Sequence, residues 1–196
     1  MKKIHLLTGP VLFLIAEVIL PGGSAEVDAR IKLIQNNATA WESGHLLIAI
    51  AFVFLLMWVA ELYAYVRQKS ALTAYAGLLF STFALAADYG VGTLQLLSLD
   101  LVRAKPVELA QPVLSIIAQS PSLLGFVFLP TLGFAIGFGL LALAYFRATR
   151  QALPAVLLAA AGLLIAVAGL IQLKVLFVAG ALALLAFAVW YIRPNK

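Results

Sequence analysis

The sequence predicts an all-α integral membrane protein: a six-transmembrane-helix bundle with a short amphipathic outer helix between spans one and two. Three observations predict it. Of the 196 residues, 64% are hydrophobic and 11% charged, whereas soluble domains carry about a quarter charged residues. The charges gather at the ends of apolar runs, where a bilayer tolerates them. Finally, three runs leave through the same tripeptide: Tyr65-Val66-Arg67, Tyr145-Phe146-Arg147 and Tyr191-Ile192-Arg193. A headgroup-level tyrosine followed by a retained cation is how a span ends on the cytoplasmic side. These tyrosines and arginines are therefore read as interface anchors, with the three exits on one side.

The apolar runs cover approximately 4–20, 44–66, 71–99, 122–146, 154–171 and 175–192. Each is close to the ~20 helical residues that cross the hydrocarbon core. Helices are required because an unpaired backbone group in lipid costs several kcal/mol, and no block alternates at period two as a barrel strand would. With little chain left over, residues 1–196 form a single polytopic membrane domain.

The first run begins with Lys2-Lys3 and ends near Gly23-Ser24-Ala25, which is also the outline of a cleaved secretory signal. Gly9-Pro10 and Glu17 interrupt its apolar core, so a retained span is expected. Between Pro21 and Trp41, Val27, Ile31, Ile34, Ala38 and Trp41 make a helical stripe with Glu26, Arg30 and Lys32 off it. That pattern predicts a helix lying in the interface or capping the bundle. Asn37-Ala38-Thr39 is a glycosylation sequon that matters only in a secretory-pathway host.

The third run is long enough to tilt or break, and Asp88-Tyr89-Gly90-Val91-Gly92-Thr93 is the place for local unwinding. Pro106, Pro112 and Pro121 bracket a short stretch, 113–117, expected to be interfacial or re-entrant. Gly133 and Gly137 on the fourth run are spaced for close helix approach. The last two runs form a tight hairpin with Pro154 in the first helical turn and the reversal at Gly169, Gln172 and Lys174. Ala155, Ala159, Gly162, Ala166 and Gly169 make a second small-residue seam. Such seams pack helices within one chain or between copies.

Orientation follows from the cations. With the N-terminus inside, the inner segments hold Lys2, Lys3, Arg67, Lys69, Arg147, Arg150, Arg193 and Lys196 and no acid. The outer loops hold Arg30, Lys32, Arg103, Lys105 and Lys174 beside Glu26, Asp28, Glu42, Asp100 and Glu108. This imbalance places both termini in the cytoplasm, with a bacterial inner membrane as the expected location. The net charge of +5 then reads as orientation signal and headgroup contact rather than a nucleic-acid surface. Membrane lipids are the expected partners, with a partner membrane protein or a homo-oligomer open and no nucleic acid.

Chemistry points first to Asp88, near the centre of the third span, where a carboxylate costs ~2.5–3.5 kcal/mol on insertion scales. Ser81, Asp88 and Gln95 are seven apart and share one helix face. With Glu17, near the outer end of the first span, they are the candidate polar path, although nothing in the sequence brings the first and third spans together. The competing reading of Asp88 is a protonated, hydrogen-bonded link between helices. Glu61 lies a turn before Tyr65 and Arg67, where it snorkels or pairs with Arg67.

Without cysteine there is no disulfide, thiolate metal site or thiol nucleophile. His5 and His45 begin spans on opposite sides, so they cannot jointly ligate a haem. No mid-span lysine offers a Schiff base, no second mid-span aspartate completes a protease pair, and no phosphate loop is present. No catalytic residue, metal or cofactor is therefore expected, and the chain is not read as an enzyme. Two functions fit: a small transporter or ion- or proton-translocating protein using Asp88, or a non-catalytic membrane subunit or assembly factor packing against partners.

Overall fold

The structure, a computed structural model, describes residues 4–22, 26–104, 110–119 and 121–193. Lys2, Lys3, the triplet 23–25, Lys105, Pro106, Glu108 and Lys196 lie outside the described residues, as do the side chains of His5 and Ile117. Among the described residues there are helices and no strand. After a 3-10 turn, Ile4–Leu7, come α1 (Thr8–Ile19), α2 (Val27–Asn36), α3 (Ala38–Val66), α4 (Ala71–Arg103), α5 (Ala110–Gln119), α6 (Pro121–Thr149), α7 (Ala152–Ile171) and α8 (Lys174–Ile192).

Five of these, α3, α4, α6, α7 and α8, are long and apolar enough to cross a membrane. Their outward positions are apolar, as at Val53, Met57, Leu72, Val156, Leu163 and Leu182, which suits lipid contact and suggests a membrane location. The first run is shorter than its composition predicts, because α1 has 12 residues, or about 18 Å of helix. Pro10 sits in its first turn, where the missing N–H has no helical acceptor to lose. The preceding residues are wound as a 3-10 turn. Two helices extend beyond their apolar runs, α3 beginning at Ala38 and α4 continuing to Arg103, because these extensions pack against α2 and α5.

Each long helix packs on the next in chain order, α1 on α3, α3 on α4, α4 on α6, α6 on α7 and α7 on α8, and α8 closes the ring on α1. Glycines set how closely they meet. A Cβ at Gly77 would lie 2.9 Å from the Leu141 nitrogen, and one at Gly137 would lie 2.5 Å from the Ser81 nitrogen. Gly133 faces Ala84, Gly162 faces Phe134 and Phe138, Gly169 faces Thr131, and Gly180 faces Ile165. Both seams are thus occupied within the chain. The α7–α8 reversal falls on Gln172, which takes the left-handed conformation (φ 54°) and donates from Nε2 to the Gly169 carbonyl at 2.8 Å. Gly169 itself remains inside α7 against Thr131.

Aromatic rings from the alternate helices α3, α6 and α8 fill the centre. Trp58 packs at 5.5 Å from Phe187 and 6.2 Å from Phe138, centroid to centroid. Further along, Tyr65, Tyr145 and Tyr191 meet at 5.6–6.4 Å, which places the three repeated exits at one end of the bundle. Tyr145 is buried (4% exposed) and donates its hydroxyl hydrogen to Gln151 Oε1, which also accepts from Trp190 Nε1, both at 3.1 Å. The arginines are held locally. Arg67 lies 5.9 Å from the Tyr63 ring centroid, Arg193 lies 5.6 Å from that of Trp190, and Arg147 donates to Thr73 Oγ1 at 2.9 Å.

At the opposite end a second apolar cluster, Ile34, Trp41, Leu99, Val102 and Leu114, joins α2 and α5 to the ends of α3 and α4. An exposed Arg103–Glu42 pair at 2.7 Å joins the same ends, and such pairs contribute at most about 1 kcal/mol. Lys174 makes a longer-range tie, donating from Nζ to the Val18 carbonyl at 2.9 Å and the Leu20 carbonyl at 2.5 Å. It thereby satisfies carbonyls that α1 leaves unpaired at its C-terminus. Lys174→Met should cost about 1–3 kcal/mol, read as a lower thermal midpoint with faster amide exchange at the end of α1 than in α6.

Candidate functional site

Polar groups collect between the two apolar clusters. The inward stripe of α4 explains why they collect there. At three- and four-residue spacing it runs Ser81, Ala84, Leu85, Asp88, Gly92, Gln95, Leu99, Val102. Ser81, Ala84 and Leu85 are fully buried, as are Leu99 and Val102, but Asp88, Gly92 and Gln95 keep partial exposure. A Cβ built at Gly92 meets nothing within 4 Å. Along α4, loose packing at Asp88, Gly92 and Gln95 thus separates the aromatic core from the α2–α5 cap.

Glu17 enters the same layer from α1, whose buried stripe is Gly9, Phe13, Ala16 and Glu17. It is 7% exposed and feels the charges of both Asp88 and Lys174. The α8 side of this end is tied to α1 by Lys174, which donates to the Val18 and Leu20 carbonyls just beyond Glu17. The antiparallel α4–α6 register, read from Gly77 against Leu141 and Gly137 against Ser81, sets Asp88 level with Pro130 and Thr131. Pro130 is inside α6, where it has no N–H to give to the helical ladder.

The upper wall comes from α2 and α3. Arg30 Nη2 donates to Gln95 Oε1, and Trp41 Nε1 donates to the Gln95 carbonyl at 2.9 Å. The buried His45 ring packs on Trp41 at 4.8 Å, and its Nδ1 is 2.7 Å from the Trp41 carbonyl. A carbonyl only accepts, so Nδ1 carries the hydrogen and Nε2 remains as the second site of the ring. Burial pulls the Arg30 guanidinium below its ordinary range without discharging it. Its Nε is buried with no hydrogen-bond partner, an unmet donor of the kind that costs about 1–3 kcal/mol.

The sequence-predicted residues are thus distributed unevenly. Asp88, Gln95 and Glu17 share the polar layer. Ser81 lies below it, its Oγ buried and unpartnered against Gly137, sealed into the α4–α6 seam. Ser81→Ala should leave function unchanged and raise stability by about 1 kcal/mol, since it removes an unsatisfied buried hydroxyl; a thermal melt checks it. The helix is continuous through Asp88–Thr93 rather than unwound. Thr93 Oγ1 bonds back to the Tyr89 carbonyl, and the backbone retains its helical partners. Glu61 is half-buried on α3 at the tyrosine end, and it has an interaction partner there.

Arg30, Trp41, His45 and Lys174 were not legible in the sequence as members of this layer. Arg30 falls on the polar side of an amphipathic helix, which ordinarily faces water, and only the packing of α2 turns it inward. Lys174 carried a usable signal, as the sole charged residue between Arg150 and Arg193. No group of three or more His, Cys, Asp or Glu suited to a metal occurs among the described residues. Compared with known proteins, the chain matches no family model, no curated protein and no solved structure.

Proposed function

We infer that the chain is a six-span membrane protein, with its tyrosine end in the cytoplasm, that works as a small transporter or ion- or proton-translocating protein. The observation that carries this reading is the polar layer itself. Glu17 is a nearly buried acid on α1, and Asp88 stands mid-span on α4 in a loosely packed stretch with Gly92 and Gln95. Ionisable groups inside a membrane bundle are expensive, and they commonly mark substrate or proton paths. On this reading α1 crosses together with its 3-10 turn, which adds about 8 Å to the helix. The layer then opens toward the outer leaflet, and the aromatic core closes it from the cytoplasm.

The test is proton movement in proteoliposomes reported by a trapped pH-sensitive dye. Wild type should acidify or alkalinise the lumen under an imposed gradient, and Asp88→Asn should reduce that rate at least tenfold while eluting and melting as wild type does. Coincident traces for protein-free vesicles, wild type and variant would remove the proton-translocating reading.

A further inference from the structure

At the tyrosine end a guanidinium and two hydroxyl groups stand together at the outer edge of the α4–α6 seam. We propose that Arg147, Thr73 and Ser70 bind the phosphate of an anionic phospholipid there. The site is separate from the polar layer and does not rest on transport; it requires only that the bundle sits in a bilayer.

Three observations carry it. First, Arg147 Nη1 lies 2.9 Å from Thr73 Oγ1 and 3.5 Å from Ser70 Oγ, joining the end of α6 to the start of α4. A guanidinium only donates, so both hydroxyls accept from it and each keeps its own hydrogen to give. Among the described residues, Ser70 does not cap α4 with its side chain, and Thr73 gives no bond back to the preceding turn as Thr93 and Thr149 do. Arg147 is exposed and the two hydroxyl residues are half-buried, so these donors are open to a ligand. A phosphate diester offers acceptors alone, and guanidinium–phosphate pairs are among the strong hydrogen-bonded contacts. Second, residues 67–70 and 147–151 carry Arg67, Lys69, Arg147 and Arg150 and no acid. Glu61, earlier on α3, already has an interaction partner. The cation of a zwitterionic headgroup is therefore offered no carboxylate in these turns. Third, Arg147 extends the outward stripe of Ile136 and Leu143 on α6, and Thr73 shares a face of α4 with Phe80. Ile136, Leu143 and Phe80 are exposed, and the Phe80 carbonyl borders Gly133 of α6. An acyl chain thus has an apolar track along the seam below the phosphate donors.

The other cations at this end supply the comparison. Arg193 lies over the Trp190 ring and Arg67 over the Tyr63 ring, each on an aromatic face rather than beside hydroxyls. Diffuse attraction to an anionic leaflet acts on every such cation alike. A built site acts at Arg147 and depends on its neutral neighbours as well. A free anion would use the donors but gain nothing from the apolar track, whereas a phospholipid uses both.

The experiment is thermal unfolding of the full chain in dodecyl maltoside micelles at one ionic strength, titrated with dioleoylphosphatidylglycerol, dioleoylphosphatidylcholine or inorganic phosphate. Phosphatidylglycerol should raise the midpoint at a concentration about tenfold below that needed of phosphatidylcholine, and inorganic phosphate should leave it unchanged. Arg147→Gln should weaken the phosphatidylglycerol response about tenfold, and Thr73→Val, which alters no charge, about fivefold. Arg193→Gln should stay within about twofold of wild type. Equal stabilisation by the two lipids, no response to either, or equal losses from Arg193→Gln and Arg147→Gln would overturn the proposal in favour of diffuse surface charge. An inorganic-phosphate response matching that of the lipid would overturn the assignment to a phospholipid. A wild-type response from Thr73→Val would overturn it as well. That variant and the lipid comparison decide the matter even if Arg147→Gln fails to fold.

Discussion

Gly162→Leu is expected to prevent the native bundle from assembling, whereas Gly139→Leu should have little effect. A Cβ at Gly162 would lie 2.6 Å from the Phe134 carbonyl oxygen and 2.7 Å from Phe138 Cβ. Both obstacles belong to the α6 backbone or its immediate root, so no rotamer change moves them aside. The α6–α7 contact would have to separate, and with it the packing of Phe138 against Trp58. Overpacking a well-filled core costs about 1–3 kcal/mol, and a branched side chain driven into backbone lies at or above the top of that range. At Gly139 a Cβ meets nothing within 4 Å. The measurement is size-exclusion behaviour and thermal midpoint of both variants in one detergent. A monodisperse Gly162→Leu with the wild-type midpoint would mean that α6 and α7 do not meet at this position.

Trp41→Ala should release the cap while leaving the ring intact. Trp41 is buried in the second apolar cluster with Ile34, Leu99, Val102 and Leu114. It also donates to the Gln95 carbonyl and stacks beside His45. Truncating a buried tryptophan costs about 3–5 kcal/mol, here concentrated in a cluster separate from the Trp58–Phe187 core. Amide exchange should rise in α2 and α5 and stay slow in α7 and α8. A uniform rise across all helices would mean that the two clusters unfold as one unit. Release of the cap would also free Gln95 from Trp41, so the Arg30 end of the polar layer should loosen before the Asp88 end.

The tyrosine exits illustrate what a local motif can and cannot say. A tyrosine and an arginine two residues later mark a helix end wherever they recur, and the three ends do lie together. That Tyr145 turns inward to bond Gln151 instead of facing outward depends on which helix stands beside α6. The reach of α1 is a related case. Its hydropathy reads as a full span, but Gly9-Pro10 delays the start of regular α-helix to Thr8, and composition alone does not weigh that.

By itself, the sequence determined the all-helical class, the identity of the five long apolar helices and the α7–α8 hairpin. These are local properties: hydropathy, run length and three-and-four spacing act within one helix and need no neighbour. Tertiary structure alone decided that α8 closes on α1, that Lys174 ties to the end of α1, and that Arg30 turns inward to Gln95. Those contacts join residues far apart in the chain. They depend on the order of helices around the ring and on the glycine surfaces that set its register, and a hydropathy profile carries neither.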